Sequence, residues 1–225
     1  MKFFSKIANF TFSKKVDTAI DRILESSKLK IIPVIIVFNT PLDDILQSRV
    51  RRLGLHVTYT LPFMNALAGN LPVRNLEKIV GILEVKKIYH DGIAFLCGSE
   101  SNPSIRDITK INYNKSYLNG KDVTIAFIDS GVYPHADLTK PRNKVLAFKD
   151  FVNKITFPYD DNGHGTACAG IAVGASLDGK FMSPAYESSL VCAKAFNKHG
   201  TGFFSDILAA MQWIIEIKDK NNIKI

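Results

Sequence analysis

Two short segments hold the residues best suited to chemistry. Ile128-Asp129-Ser130-Gly131 puts a carboxylate at the end of an apolar run, and Asn162-Gly163-His164-Gly165-Thr166 puts an imidazole between glycines. A carboxylate can accept one ring N–H of a histidine and leave the other ring nitrogen free to take a proton from a nucleophile. An imidazole titrates near neutral pH, so it can act as general base and then as general acid in one cycle. Asp129 and His164 are therefore the candidate catalytic residues. Cys168 follows His164 by one helical turn and would share its face, but a metal pair there lacks further ligands at suitable spacing. His56, His90, His135 and His199 have no such companions in sequence.

The surrounding pattern says how these groups would be held. Val123 to Ile128 is a continuous apolar run, as expected for a parallel strand covered on both faces. Asp129 then stands at its carboxyl end, the edge where open α/β sheets present groups to ligands. Gly165 to Val173 reads as a short helix whose small residues (Ala167, Ala169, Gly170, Ala172) allow close packing. Leu190 to Phe196 is another buried strand. Ser205 is placed to cap a helix running to about Ile217, with Ile207, Leu208, Met211, Ile214 and Ile215 inward and Asp206 in the first turn. Ile223 to Ile225 begins a further strand. Strands alternating with helices over 121–225 predict an α/β fold with a partial doubly wound parallel sheet.

Residues 29–93 carry a different order, β-α-β-β-α-β, the ferredoxin-like α+β arrangement. The strands are expected at 31–38, 55–61, 66–71 and 85–89. The first helix would start at Thr40-Pro41, with a stripe of Leu42, Ile45, Leu46 and Val50, and the second spans 73–82. Residues 1–28 read either as a polar helical extension, with Val16, Ile20, Ile23 and Leu24 at helical spacing, or as a poorly packed leader. Residues 94–120 are rich in Gly, Ser and Asn and read as a linker and arm.

Composition narrows the classes. The net charge of +8 is spread along the chain, and its tightest cluster, Arg49, Arg51 and Arg52, has no interleaved aromatics. A nucleic-acid or membrane partner is not expected. The three cysteines, Cys97, Cys168 and Cys192, do not form a disulfide framework. Lys6, Lys14 and Lys15 interrupt any signal-like apolar stretch at the N-terminus. The expected location is cytoplasmic, or outside the cell by release without a conventional signal peptide.

Taken together the motifs carry a resemblance. Val123 to Val132, Pro134-His135-Ala136-Asp137-Leu138, Asp161 to Gly170 and Gly200 to Ile214 resemble, in order and separation, the subtilisin-like serine peptidases. The resemblance covers roughly 105–225, and residues 30–91 look like the inhibitor-type propeptide of that family. It implies that Asp129 orients and stabilises the imidazolium and that His164 is the general acid/base. It implies that Gly200, Thr201 and Gly202 bind substrate by strand addition, with peptides or proteins as partners. Phe203 and Phe204 line an apolar subsite or simply pack in the core. Asp137 matches a calcium ligand of some members, but the loop that completes that site is not evident between Ala175 and Ser188, so no cofactor is expected. The family's later segments, including the nucleophilic serine, are missing, and Ser130, Ser183, Ser188, Ser189 and Ser205 lie in the wrong segments to replace it. The expectation is a subtilisin-class serine endopeptidase present as a fragment, inactive as it stands, with the propeptide docked on the peptidase domain. The alternative is a non-catalytic, propeptide-like inhibitor or folding helper that binds a related peptidase.

Overall fold

Ile31 to Phe38 holds seven β-branched or aromatic residues and one proline, and five of its eight residues are buried. The computed structural model describes residues 14–26, 29–97, 118–175 and 182–225. These divide into two compact units, Met1–Gly92 and Ile93–Ile225. Most of the expected linker at 94–120 lies outside the described residues, as do residues 1–13.

In the first unit, β1 (Ile31–Phe38), β2 (His56–Leu61), β3 (Ala66–Pro72) and β4 (Val85–His90) form one antiparallel sheet in the order β2-β3-β1-β4. Helix α1 (Thr18–Ser26) precedes β1, α2 (Asp44–Arg52) joins β1 to β2, and α3 (Leu76–Val80) joins β3 to β4. This is the ferredoxin-like order. Val16 and Ile20 are fully buried in the same core as Ile36, Leu67, Ile79 and Ile88, so α1 belongs to this unit rather than extending from it. The first helix does not start at Thr40-Pro41. Asp43 caps it instead, its Oδ1 accepting from Leu46 N at 2.6 Å. A carboxylate at that position satisfies a free N–H and also suits the helix dipole, which a threonine hydroxyl does not. Ile45 consequently faces solvent, 76% exposed, while Leu46 and Val50 face the core.

The second unit is built on parallel strands β6 (Thr124–Asp129), β7 (Val145–Asp150) and β8 (Ser189–Lys194), ordered β6-β8-β7. Short helix α4 (Ala136–Thr139) follows β6, α5 (His164–Val173) follows β7, and α6 (Phe204–Ile217) follows the short strand β9 (Thr201–Phe203). Ile223 bridges Thr124 in parallel and Ala126 N donates to Ile225 O at 2.8 Å, so the chain's last residues run alongside β6. Ile223 to Ile225 therefore takes the strand-like position its composition predicts. Val132, Leu138, Ala169, Val173, Leu190 and Cys192 form the core between sheet and helices. Strand β7 and the three-residue β5 (Ile93–Phe95) are not evident in the sequence pattern.

Helix α6 departs from expectation at both its start and its face. Ser205 does not cap it: the helix begins at Phe204, and Ser205 is buried within its first turn. The inward residues are Ser205, Ala209 and Ala210, whereas Met211 and Ile215 are 41% and 51% exposed. The small residues win the inner face because they let the helix lie close to β6, β8 and β9. An apolar stripe on the other side belongs to the class of helix that is hydrophobic all round.

Candidate active site

Asp129, Lys194 and Asp150 end the three parallel strands, and they stand in one row: Lys194 is the register partner of Asp129 on one side and of Asp150 on the other. All three are buried. Such a row of charges survives only if each has partners. Asp150 accepts from Val152 N, Asn153 N and Ile155 N and from the Tyr159 hydroxyl at 2.7 Å. Burial works to raise the Asp150 carboxyl, but those donors outweigh it and hold it below its ordinary range. Burial, with Asp150 as acceptor, pushes the Tyr159 phenol up to about 12.

Asp129 meets His164. His164 Nδ1 lies 2.8 Å from Oδ1 and 2.9 Å from Oδ2 of Asp129, and Oδ1 also accepts from Ser130 N at 2.6 Å. With an ionised carboxylate as acceptor, Nδ1 carries the proton and Nε2 carries the lone pair. The imidazole is 30% exposed and Asp129 11%, so the ring is reachable from solvent while its carboxylate partner is sheltered.

The local fold explains why the ring arrives there. Gly163 takes φ +96°, a left-handed conformation that turns the chain into α5. A β-carbon on Gly165 would lie 2.1 Å from Gly131 O, so only glycine lets the first turn of α5 reach the end of β6. Asp160 holds that turn in place. Its Oδ1 accepts from Ser130 Oγ at 2.9 Å and Gly163 N at 2.9 Å, and its Oδ2 accepts from Thr166 N at 2.9 Å and Thr166 Oγ1 at 2.6 Å. Burial pushes the Asp160 carboxyl up, but the bonds from Thr166, Gly163 and Ser130 prevail and hold it down. Asp160, which holds this turn, and the buried Lys194 are residues that sequence reasoning passed over. The available signals were an acid four residues before the histidine and a lone lysine inside a buried strand.

Cys168 Sγ is 3.7 Å from His164 Nδ1, and with Asp129 these form the one cluster of three potential metal ligands among the described residues. The cluster suits a hydrogen bond better than a cation. Carboxylate and Nδ1 are already in direct contact, and burial and the Asp129 charge push the Cys168 thiol up, away from the thiolate a metal needs. Asp137 lies beside His135, whose Nδ1 is 3.5 Å from its carboxylate, and joins no such cluster among the described residues. Part of the stretch that would complete a calcium site, residues 176–181, lies outside them.

Gly200, Thr201 and Gly202 fall on β9 and the turn before it. Asn197 shapes that turn, its Oδ1 accepting from His199 N and Thr201 N. A β-carbon on Gly202 would lie 2.1 Å from Ala195 O, which explains the glycine. Strand β9 is paired antiparallel with β5, Ala94 opposite Gly202, and Leu96 N donates to Gly200 O at 2.8 Å. Phe203 and Phe204 are both about half exposed, so neither is plain core. Ser130, Ser183 and Ser188 direct their hydroxyls to Asp160, Gly170 O and Gly120 O respectively, not to His164.

The second unit is thus a parallel α/β segment with a carboxylate–imidazole pair at the carboxyl edge of its sheet. Residues 120–225 match the model of the subtilase family. The serine protease AprX of Bacillus subtilis is 44% identical over 110 residues, covering 48% of this chain and 24% of AprX. The minor extracellular protease Epr of the same species is 36% identical over 102 residues, covering 45% of this chain and 15% of Epr. The chain therefore spans only a minor part of the relatives it matches. Among solved structures, the epidermin leader peptide processing serine protease of Staphylococcus aureus superposes with a TM-score of 0.63 at 18% identity, covering 87% of this chain and 49% of that one. At that identity the likeness speaks for the fold. Among the described residues, no helix is long and apolar enough to cross a membrane.

Proposed function

We propose that this chain supplies the acid–base half of a subtilisin-class serine endopeptidase, with peptides or proteins as substrates. The observation that carries the reading is the two-oxygen contact between Asp129 and His164 Nδ1, in a stretch that matches the subtilase family model. In this reading His164 Nε2 takes the proton of an attacking serine hydroxyl. Asp129 stabilises the imidazolium, and Nε2 returns the proton to the leaving amine. Ser130, Ser183 and Ser188 do not offer that hydroxyl, since theirs are bonded to Asp160, Gly170 O and Gly120 O. The test is hydrolysis of a peptide amide by the protein isolated from the cells that make it. Labelling of a serine by a fluorophosphonate probe, lost in His164→Ala, supports the reading. Hydrolysis that persists unchanged in His164→Ala removes it.

The pairing of β5 with β9 supports a second element of the same proposal. The edge of β9 accepts an extended peptide by strand addition at Gly200, Thr201 and Gly202, and the chain's own Ile93–Phe95 takes that place. The first unit would then act as the propeptide, and cleavage after β5 would free the edge. The non-catalytic alternative, a propeptide-like inhibitor of a related peptidase, has its own test. Micromolar 225-residue chain should then slow a subtilisin-class enzyme, and no slowing removes that alternative.

A further inference from the structure

Lys194 is fully buried at the end of β8, beneath the loop that carries His164. Its ammonium donates to Ser130 O, to Phe196 O at 2.8 Å and to Asp161 Oδ1 at 2.6 Å. The Tyr159 ring centroid is 5.0 Å from Nζ. Removing an ammonium from water is costly, and a well-packed apolar side chain often stabilises such a position as well or better. What an apolar side chain could not do is bind these three acceptors together. One is on the residue after Asp129, one is two residues beyond Lys194, and one is three residues before His164.

We propose that Lys194 is a positioning residue for His164. Its charge clamps Asp161 to the carboxyl ends of β6 and β8, and this fixes the loop so that the imidazole meets Asp129. Asp160 cannot take over that task, because its two oxygens already hold Ser130, Gly163 and Thr166. Asp161 is 32% exposed, so its tie to the sheet depends on the buried partner. The consequence for catalysis rests on reading Asp129 and His164 as the acid–base pair, whereas the clamp itself does not.

The test is nitrogen-15 NMR of His164 in the 225-residue chain, following exchange of the Nδ1 proton with water. In Lys194→Met and in Asp161→Ala that exchange should be about tenfold faster or more, because the loop opens without its buried charge contact. Asp161→Asn keeps an acceptor oxygen for Nζ and should restore most of the protection. Circular dichroism and thermal melting establish that each variant is folded. If Lys194→Met does not fold, Asp161→Ala decides, since it changes a partly exposed residue. Unchanged exchange in folded Asp161→Ala or Lys194→Met overturns the proposal, even if melting falls, because a purely structural lysine would give that pattern. The readout does not require hydrolysis, so its failure is separate from failure of the endopeptidase reading.

Discussion

Gly165 and Asp129 pack so closely that a β-carbon on Gly165 would stand 3.1 Å from the β-carbon of Asp129, besides striking Gly131 O. The start of α5 and the end of β6 are therefore fitted to one another at the point where His164 leaves the helix. Backbone cannot yield as a flexible side chain can, so added volume there moves the helix.

Gly165→Ala should destabilise the second unit by about 1–3 kcal/mol, the usual range for overpacking. It should also lengthen the contact between His164 and Asp129. Thermal melting measures the first effect and the His164 Nδ1 proton resonance the second. An unchanged melting temperature would mean that the fit at this junction is looser than the geometry shows.

Asp160 and Asp150 make a prediction about acid. Both carboxyls are held below the ordinary value of 3.8 in the folded chain, by hydrogen bonds that outweigh burial. A group with a lowered folded pKa stabilises above its unfolded pKa, and that stability is lost as pH falls through the folded value. The melting temperature should therefore drop progressively as pH falls below 3.8. Asp160→Asn should melt lower at neutral pH and show a shallower drop in acid, Asp150 still contributing. An acid profile identical to that of the parent chain would contradict the role given to Asp160.

Tyr159 makes the alkaline counterpart. Its phenol goes from an ordinary 10.0 to about 12 on folding, burial being the main cause. The protonated phenol is favoured in the fold, so its stabilisation is complete below 10.0 and lost as pH rises toward about 12. Tyr159→Phe removes a hydrogen bond to a charged group, worth about 1.5–3 kcal/mol, and should flatten the alkaline fall. Melting curves between neutral and strongly alkaline pH check both effects.

Much of this arrangement can be read from residues alone, for reasons that differ by element. Strand β6 is a long apolar run ending in an acid, and the glycines around His164 announce a turn, so the pair and its glycine turn are visible before any coordinates, whereas Asp160 is not. Strand β7, Val-Leu-Ala-Phe-Lys-Asp, ends in two charges and is only half covered, so its pattern is weak. Strand β5 has three residues in a loop-rich stretch and exists through its partner β9, which no local signal shows. Helix α6 is apolar on nearly every side, so periodicity could not choose its buried face, and the small residues that did so carry little hydrophobic signal. Lys194 lay hidden in an apolar strand because a buried charge is legible only with its acceptors, and those are brought by three separate segments.

The most direct measurement is the turnover of a peptide amide by the natural protein and its Asp129→Asn variant. Asp129→Asn leaves the shape of the pair but no longer selects the working tautomer of His164. The account predicts a fall in kcat of about ten-thousandfold with KM little changed, the effect such a substitution has in an Asp-His-Ser triad. A kcat equal to that of the parent would contradict it, and Asp129 and His164 would then be a structural pair.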